Sequence, residues 1–334
     1  MTSPSLTLVM PTISWEDPFG PCCRAAIAGL EPEDEAIVVF DGLPPPTPAW
    51  LSKGSVRLLH TEQRSGPAAA RNLAARGAQG NILVFVDADV EVHADAMARI
   101  KAQFSRDPEL AALFGSYDDT PAAPGVVSRF RNLLHHHTHS SHPGPATSFW
   151  AGLGAVRREW FLALGGFDAT TYDRPCIEDI EFGLRLHEQG GRILLDPTIQ
   201  GTHHKHWSLA LMVRTDIQQR AIPWSRLILQ RRPKAATLNL QATARWSAAA
   251  CLALLVLLPV AILVPNLRIG AALAIGLCLA LLFTLNRSFH RLLIRRTGWL
   301  HGSLGVILHG LYLIYSSLTF ALVAMAETSK RLTR

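Results

Sequence analysis

The chain has 334 residues, 49% of them hydrophobic, and carries a formal net charge of +6. Its five cysteines have the spacing of neither a zinc site nor a secreted disulfide framework, and its N-terminus lacks the basic region of a signal peptide. The basic excess lies beside long apolar segments near the C-terminus, which favours a membrane protein over a nucleic-acid-binding one. We therefore expect a cytoplasmic N-terminal domain followed by a membrane region.

Before about residue 246, short apolar runs alternate with helix-like segments. Strands are predicted at 5–10, 35–42, 55–60 and 82–86, and helices at 22–30 and 66–80. The second helix opens with Gly-Pro and ends in glycine, which are start and stop signals. This alternation predicts an α/β domain with a mostly parallel sheet covered on both faces, and ligands bind outside the carboxyl ends of such strands.

The strand at 82–86 runs directly into Asp87-Ala88-Asp89. Residues two apart in extended chain point to the same side, so we expect these two carboxylates to converge. Their mutual repulsion is costly unless a cation or a shared proton relieves it. Mg²⁺ takes one or two carboxylates together with substrate phosphates. A plain turn rich in Asp is the alternative. Since Pro11 and Asp41 also stand at strand carboxyl ends, we expect one crevice to hold all four residues.

Residues 118–147 have no periodic pattern and contain five histidines, at positions 135, 136, 137, 139 and 142. Their spacing matches no standard zinc site. We expect a solvated or substrate-facing loop here, with metal binding as the alternative.

A helical pattern in 149–168 closes at Gly165-Gly166, and a second helix is predicted to begin at Glu178-Asp179 within 174–196. Acids at a helix N-terminus are favoured by the helix dipole, so capping alone would explain these two. The alternative is that they carry chemistry.

The C-terminal half is predicted to meet the membrane. Residues 207–234 mix tryptophans, aliphatics and arginines, as interfacial helices do. Three apolar segments follow at 246–265, 269–285 and 303–326. Three spans would place the basic C-terminus outside, against the positive-inside rule, so a re-entrant third segment is an alternative.

Several motifs follow one another along the first 207 residues: VMPTIS, VVFDG, RSGPAAARNLAA, VFVDADV, FWAGLGAVRR with GGFD, IEDIEFGLRLHEQG and GTHHKHW. In this order they resemble the motifs of the family 2 glycosyltransferases, in particular membrane-attached bacterial members, which use nucleotide sugars and have the GT-A fold. In VVFDG, Phe40 stands in place of the family's first acid. The resemblance covers roughly residues 5–207 and implies a GT-A domain at 1–206. Together with the C-terminal composition, this predicts interfacial amphipathic helices at 207–244 and a transmembrane region at 245–334.

The resemblance implies a role for each motif residue. Asp179 would be the general base, supported by Glu178. Asp89 would bind Mn²⁺ or Mg²⁺, with Asp87 on the ribose or the metal, and His203 would be a further ligand. A loop histidine without this role is the alternative for His203, and His204 is the second choice.

The donor is expected to be a nucleoside diphosphate sugar. Asp41 would contact its base or ribose, and Pro11 would shape the pocket through its backbone. Arg71 would contact the phosphates, or else form a purely structural salt bridge.

The expected activity is inverting transfer of a sugar to a lipid or lipid-linked acceptor at the cytoplasmic face of the bacterial inner membrane, by a multi-pass protein that binds no nucleic acid. A processive polysaccharide synthase is disfavoured, since QQRAIPWSR lacks the spacing of the usual Gln-x-x-Arg-Trp element. A phosphatase of the Asp-x-Asp class is disfavoured by Val90-Glu91, where a hydroxyl residue is expected. A non-catalytic nucleotide-sugar-binding partner stays an alternative.

Overall fold

The chain folds into two compact units. The structure, a computed structural model, describes residues 4–52, 56–231 and 241–332. The sheet unit comprises Met1–Ala123 and Thr138–His206, and the helical unit comprises Pro124–His137 and Trp207–Arg334. Residues 232–240 of the predicted interfacial region, including the basic residues Arg232 and Lys234, lie outside the described residues.

A nine-stranded sheet forms the core of the sheet unit. Eight strands follow the order β3-β2-β1-β4-β8-β6-β9-β5, and β7 pairs with β9. The strands are β1 (Leu6–Thr12), β2 (Glu35–Phe40), β3 (Val56–His60), β4 (Ile82–Val86), β5 (Val90–Val92), β6 (Leu110–Tyr117), β7 (Gly144–Ala146), β8 (Leu153–Arg157) and β9 (Arg192–His203).

The sheet is mixed, which corrects the prediction of a mostly parallel one. Strands β3, β2, β1 and β4 are parallel to one another, as predicted. Strand β8, however, runs antiparallel to both β4 and β6, and β5 and β7 run antiparallel to β9. Strand β8 thus joins the parallel half of the sheet to β6, because it pairs with β4 on one side and with β6 on the other.

Seven helices accompany these strands in the described part of the first 200 residues. They are α1 (Phe19–Ala28), α2 (Ala49–Ser52), α3 (Gly66–Gly77), α4 (Ala96–Arg106), α5 (Val126–Ser140), α6 (Arg158–Ala163) and α7 (Glu178–Glu188). Helices α1, α3 and α7 were predicted; α1 begins three residues before the predicted start at 22, and α7 begins at Glu178 as expected.

Helix α5 corrects the prediction of irregular chain over 118–147. Four of the five histidines in this region lie on the helix rather than in a loop. His139 is buried, its Nδ1 lies 2.9 Å from the Gly115 carbonyl oxygen, and its ring meets Trp150 edge-on. This histidine therefore fills the core of the sheet unit.

Gly183 allows α7 to lie directly on the chain that leads into β8. A Cβ atom at this position would lie 2.1 Å from the Phe149 backbone nitrogen. Real Cβ atoms do not approach a backbone this closely, so only glycine permits the observed packing. The close approach positions the N-terminal turn of α7 beside residue 151.

The helical unit contains α8 (Leu209–Thr215), a π-helical turn (Asp216–Ala221), α9 (Ile222–Arg231), α10 (Ala242–Leu263), α11 (Arg268–Leu285) and α12 (Arg287–Leu332). Three helices among the described residues are long and apolar enough to cross a membrane: Ala242–Leu263, Pro265–Leu285 and Arg287–Lys330. In the second of these helices, only 6% of the most apolar 18-residue stretch is buried. Such exposed apolar surface is typical of a helix that faces lipid.

The third helix begins earlier than predicted and contains a break. Gly298 has φ 78° and ψ 169°, so α12 consists of two segments joined at this residue. From Trp299 the described helix continues to Leu332 with no second break. A re-entrant third segment would need a turn at which the chain reverses, and the described helix contains none after Gly298.

A buried ion-pair network joins three elements of the helical unit. Asp216 Oδ1 accepts from Arg131 at 2.9 Å and from Arg220 at 3.1 Å, and its Oδ2 accepts from the Tyr315 hydroxyl at 2.7 Å. Buried charges persist only when paired and hydrogen-bonded in this way. The network ties α5, the π-helical turn and α12 together.

Replacing Gly183 by alanine is expected to destabilise the protein. The added methyl group collides with the Phe149 backbone, and overpacking of this kind costs roughly 1–3 kcal/mol. Thermal unfolding of the purified chain measures the loss. Gly20→Ala in α1 is the matched control, because its nearest neighbour is the flexible end of Arg24 at 3.3 Å. Equal melting temperatures for both variants would contradict the close-packing argument.

Candidate functional site

The carboxyl ends of the parallel strands form one edge of the sheet. The ladder pairs Thr12 with Phe40 and Phe40 with His60, so β1, β2 and β3 end level with one another. Pro11 lies beyond the last pair between β1 and β4, where β1 has a neighbour on one side only. Such a position tolerates the missing N–H of proline.

Asp41 follows β2 at this edge and holds the start of α3. Its Oδ1 accepts from the Ser65 backbone N–H at 2.8 Å and from the Thr61 hydroxyl at 2.9 Å, and its Oδ2 accepts from the Gly66 N–H at 3.0 Å. A carboxylate is favourable beside the free N–H groups of a helix start. The observed contacts give Asp41 a positioning role, and its contact with a base or ribose stays a prediction.

Arg71 lies on α3 and bridges two of the predicted site residues. Its Nη2 donates to Asp87 Oδ1 at 2.5 Å, and its Nη1 donates to Glu178 Oε1 at 3.1 Å. The residue is 4% exposed, and its face lies over the Phe167 ring. The structure thus shows the salt bridge that was one of the two alternatives for Arg71. It also brings Asp87, which follows β4, and the start of α7 to one guanidinium.

The electrostatics keep this guanidinium charged. Burial by itself lowers the pKa of Arg71, but the charges of Asp87, Glu178 and Asp179 outweigh it and raise the pKa. Glu178 is also hydrogen-bonded through its second carboxylate oxygen, since its Oε2 accepts from the Cys176 backbone N–H at 3.0 Å. Both partners of the buried pair are therefore hydrogen-bonded, as a stable buried ion pair requires.

Asp179 has a different environment from its neighbour. Its Oδ2 accepts from the Ala151 N–H at 3.0 Å and its Oδ1 from the Ile180 N–H at 2.8 Å. Burial and the charge of Glu178 raise the pKa of Asp179 to about 7, although the two N–H groups and Arg71 act in the opposite direction. A carboxylate with this pKa is a far stronger base than an ordinary aspartate and is still ionised in part at neutral pH.

Asp89 contacts His203, the last residue of β9. Its Oδ2 lies 3.5 Å from His203 Nε2. The contact is set by the ladder, since Val90 pairs with His203 and the Asp89 carbonyl accepts from the His204 N–H at 2.9 Å. Burial acts to raise the pKa of Asp89, but His203 and Lys205 lower it below its usual value.

His204, the second choice for a metal ligand, faces elsewhere. Its Nε2 lies 2.7 Å from Glu91 Oε2. Of the two adjacent histidines, only His203 has an ion-pair distance to Asp89 in the described part of the chain.

Two residues at the end of β6, Tyr117 and Asp118, contact the end of β9 that carries His203, although no motif predicted them. The Tyr117 ring stacks on the His203 ring with centroids 4.2 Å apart and planes 7° from parallel. Asp118 accepts from the Thr202 hydroxyl and lies 3.0 Å from His93 Nε2. These contacts hold the end of β9 against the end of β6. They depend on β6 and β9 being neighbours, which no local pattern indicates.

Asp89 and His203 fit a divalent cation. One carboxylate oxygen and one ring nitrogen face each other at 3.5 Å, and Asp89 lies two residues after Asp87 in the chain. Within residues 4–52, 56–231 and 241–332, no group of three or more His, Cys, Asp or Glu side chains is arranged as a metal cage. Two protein ligands suit an ion that takes its other ligands from a diphosphate and water, as Mg²⁺ usually does.

Comparison with known proteins gives the family and the fold. Residues 7–164 match the family model described as Glycosyl transferase family 2. A TPR repeat-containing protein of Synechococcus elongatus is 32% identical over 114 residues, which are 34% of this chain and 28% of that protein. The O-antigen biosynthesis protein RfbC of Myxococcus xanthus is 28% identical over 172 residues, which are 47% of this chain and 13% of that protein. The chain thus spans less than a third of the length of either relative.

A solved structure resembles the chain over nearly its whole length. It is the mannosyltransferase PcManGT from Pyrobaculum calidifontis in complex with GDP-Man and Mn²⁺, with a TM-score of 0.58 and 18% identity over 97% of this chain and 87% of that one. At this identity the likeness concerns the fold, which is that of the GT-A glycosyltransferases. Residues 7–164 therefore belong to glycosyl transferase family 2, and the chain has the GT-A fold.

Proposed function

We propose that the protein is an inverting, metal-dependent glycosyltransferase that moves a sugar from a nucleoside diphosphate sugar to a lipid or lipid-linked acceptor. The sheet unit would carry the chemistry. The helical unit would hold the protein in the bacterial inner membrane, with the sheet unit on the cytoplasmic face and the predicted interfacial helices near the headgroups. The three apolar helices support this placement.

One observation carries the proposal: Arg71 joins Asp87 to Glu178. Asp87 and Asp89 follow a strand of the nucleotide-binding half of the sheet, whereas Glu178 and Asp179 begin a helix almost a hundred residues later. The shared guanidinium has Asp87 on one side and Glu178 on the other, and in the proposed site the first acidic pair would face the donor diphosphate and the second the acceptor. A donor and an acceptor need this arrangement, with the leaving group on one side of the sugar and the base on the other.

Asp179 is the proposed general base. During inversion the acceptor oxygen bonds to the anomeric carbon while the bond from that carbon to the diphosphate oxygen breaks. The acceptor's hydroxyl proton passes to an Asp179 oxygen. Each of its oxygens is held by one backbone N–H, so the carboxylate is oriented yet keeps a lone pair for the proton. Glu178 supports it by binding Arg71.

Asp89 and His203 are the proposed metal ligands, and Asp87 is placed to take part through the oxygen that Arg71 does not hold. A bound Mn²⁺ or Mg²⁺ would stabilise the negative charge that grows on the leaving diphosphate. Asp41 and Pro11 line the sheet edge where the nucleoside would lie. Asp41 would act chiefly by fixing the start of α3, from which Arg71 projects.

Transfer activity and its dependence on Asp179 test the proposal. Purified protein in phospholipid nanodiscs is incubated with Mn²⁺, labelled nucleoside diphosphate sugars and a bacterial lipid extract. We expect label in the lipid fraction and release of the nucleoside diphosphate. Asp179→Asn should lower kcat by about 10²–10⁴, the usual contribution of a general base.

Asp173→Asn is the matched control, because Asp173 is a nearby acid whose side chain is 72% exposed. It should leave the rate unchanged. A folded protein that consumes no donor contradicts the proposed function. An unchanged rate in Asp179→Asn contradicts the role of Asp179, and a ladder of repeated sugars on one acceptor would favour the processive alternative.

The pH dependence follows from the raised pKa of Asp179. The base works only when ionised, so kcat/KM should rise with pH through about 7 and level off above it. Initial rates at subsaturating donor between pH 5.5 and 8.5 measure the profile. The Asp173→Asn variant should keep the same curve. A kcat/KM that is already level at pH 5.5 would show that an ordinary carboxylate, or no carboxylate, is the base.

Metal binding distinguishes the two neighbouring histidines. His203→Ala should weaken Mn²⁺ binding roughly 10–100-fold, the range seen when the surroundings of a metal site are disrupted. His204→Ala should change it little, since His204 faces Glu91. The free Mn²⁺ signal in electron paramagnetic resonance, with inorganic pyrophosphate as the diphosphate, gives both affinities. Equal losses in the two variants would contradict the assignment.

A further inference from the structure

Three arginines form a charged stripe on the first segment of α12, from Arg287 to Thr297, which we call the basic helix. Arg287, Arg291 and Arg295 recur every four residues and therefore lie on one face, and all three are exposed. No ion pair joins any of them to an acidic side chain in the described part of the chain. The stripe is therefore an uncompensated cationic surface.

The opposite face of the basic helix is packed. Phe289, Leu292 and Leu293 are buried in an apolar cluster of the helical unit that also contains Phe130 and Met212. Gly305 lies against the Leu293 side chain and allows the second segment of α12 to come close. Because its apolar side is fixed, the basic helix cannot rotate its arginines inward, and the stripe stays on the surface.

Both ends of the basic helix lead into apolar helices. The candidate span α11 ends at Leu285, two residues before Arg287, and Gly298 breaks α12 directly after Thr297. Trp299 and Leu300 follow the break and are 78% and 73% exposed. Tryptophan at the end of an apolar segment is typical of the level of lipid headgroups. The basic helix therefore stands between α11 and the apolar second segment of α12, where headgroups are found.

We propose that the basic helix binds the headgroups of anionic phospholipids in the membrane that holds the apolar helices. Guanidinium groups bind phosphate through paired N–H donors, and three of them at four-residue spacing present such donors along one line. Two spans, α10 and α11, return the chain to the side on which residue 241 lies, so the stripe faces the leaflet from which α10 starts. The inference rests on the membrane placement in the proposed function.

Lipid binding by the full-length protein tests the inference. Purified protein in a neutral detergent is titrated with phosphatidylglycerol or phosphatidylcholine, and bound lipid is counted by native mass spectrometry. We expect tighter binding of phosphatidylglycerol. In R287Q/R291Q/R295Q this preference should fall on the order of fivefold for each arginine removed, the effect of one basic residue near an anionic surface.

Two further variants separate charge from folding. R287K/R291K/R295K loses the paired guanidinium donors but keeps the three positive charges, which distinguish an anionic from a zwitterionic lipid, and should keep the preference. R76Q/R106Q/R192Q removes three exposed arginines from the sheet unit and should also keep it. The inference is overturned if the glutamine variant binds both lipids as the unchanged protein does. It is also overturned if inorganic phosphate displaces phosphatidylglycerol at low concentration, which would indicate a site for free anions.

Sugar transfer measured on the same samples keeps this inference distinct from the proposed function. Transfer with no lipid preference overturns the inference alone. A lipid preference that the glutamine variant loses, in a protein that consumes no donor, supports the inference and contradicts the proposed function.

Discussion

The site depends on one buried guanidinium. Arg71 lies on α3, and Asp41 fixes the start of this helix. Arg71 donates to the carboxylates of Asp87 and Glu178, which are far apart in the chain. Asp87 and Glu178 would repel each other without this charge between them. Removing one partner from a buried pair costs about 3–5 kcal/mol, because the other is left uncompensated. The same contact therefore stabilises the fold and fixes the distance between Asp87 and Glu178.

Local sequence patterns predicted the parts of this arrangement that local physics determines. A run of apolar residues ending in Asp87-Ala88-Asp89 predicts a buried strand whose acids lie at its carboxyl end, and β4 has this form. The Gly-Pro start of α3 and the acidic start of α7 were predicted for similar reasons. The first four strands are parallel because helices alternate with them, which places Asp41 and Asp87 at a common edge.

The remaining features depend on contacts between distant segments. The stacking of Tyr117 on His203 follows from β6 lying beside β9, and the sequence of either strand alone contains no sign of it. Helix α5 was predicted as irregular chain because its histidines are neutral helix formers and prolines and glycines flank it. Burial of Phe130 and Leu133 on one face stabilises this helix, and such tertiary packing outweighs weak local preferences.

The raised pKa of Asp179 links the chemistry to the stability of the sheet unit. The side chain has its ordinary pKa of 3.8 in the unfolded chain and a pKa of about 7 in the fold. The folded state therefore binds the proton more tightly. The stabilisation from the protonated carboxyl is complete below pH 3.8 and is lost as the pH rises through about 7. The proposed base must be ionised to act, so the protein works in the pH range where this residue no longer stabilises it.

Gly183 influences the pKa of Asp179 through packing. The close approach that Gly183 permits brings α7 against the chain segment whose Ala151 N–H donates to Asp179. Burial between these segments raises the pKa of Asp179, and the hydrogen bond from the Ala151 N–H limits that rise.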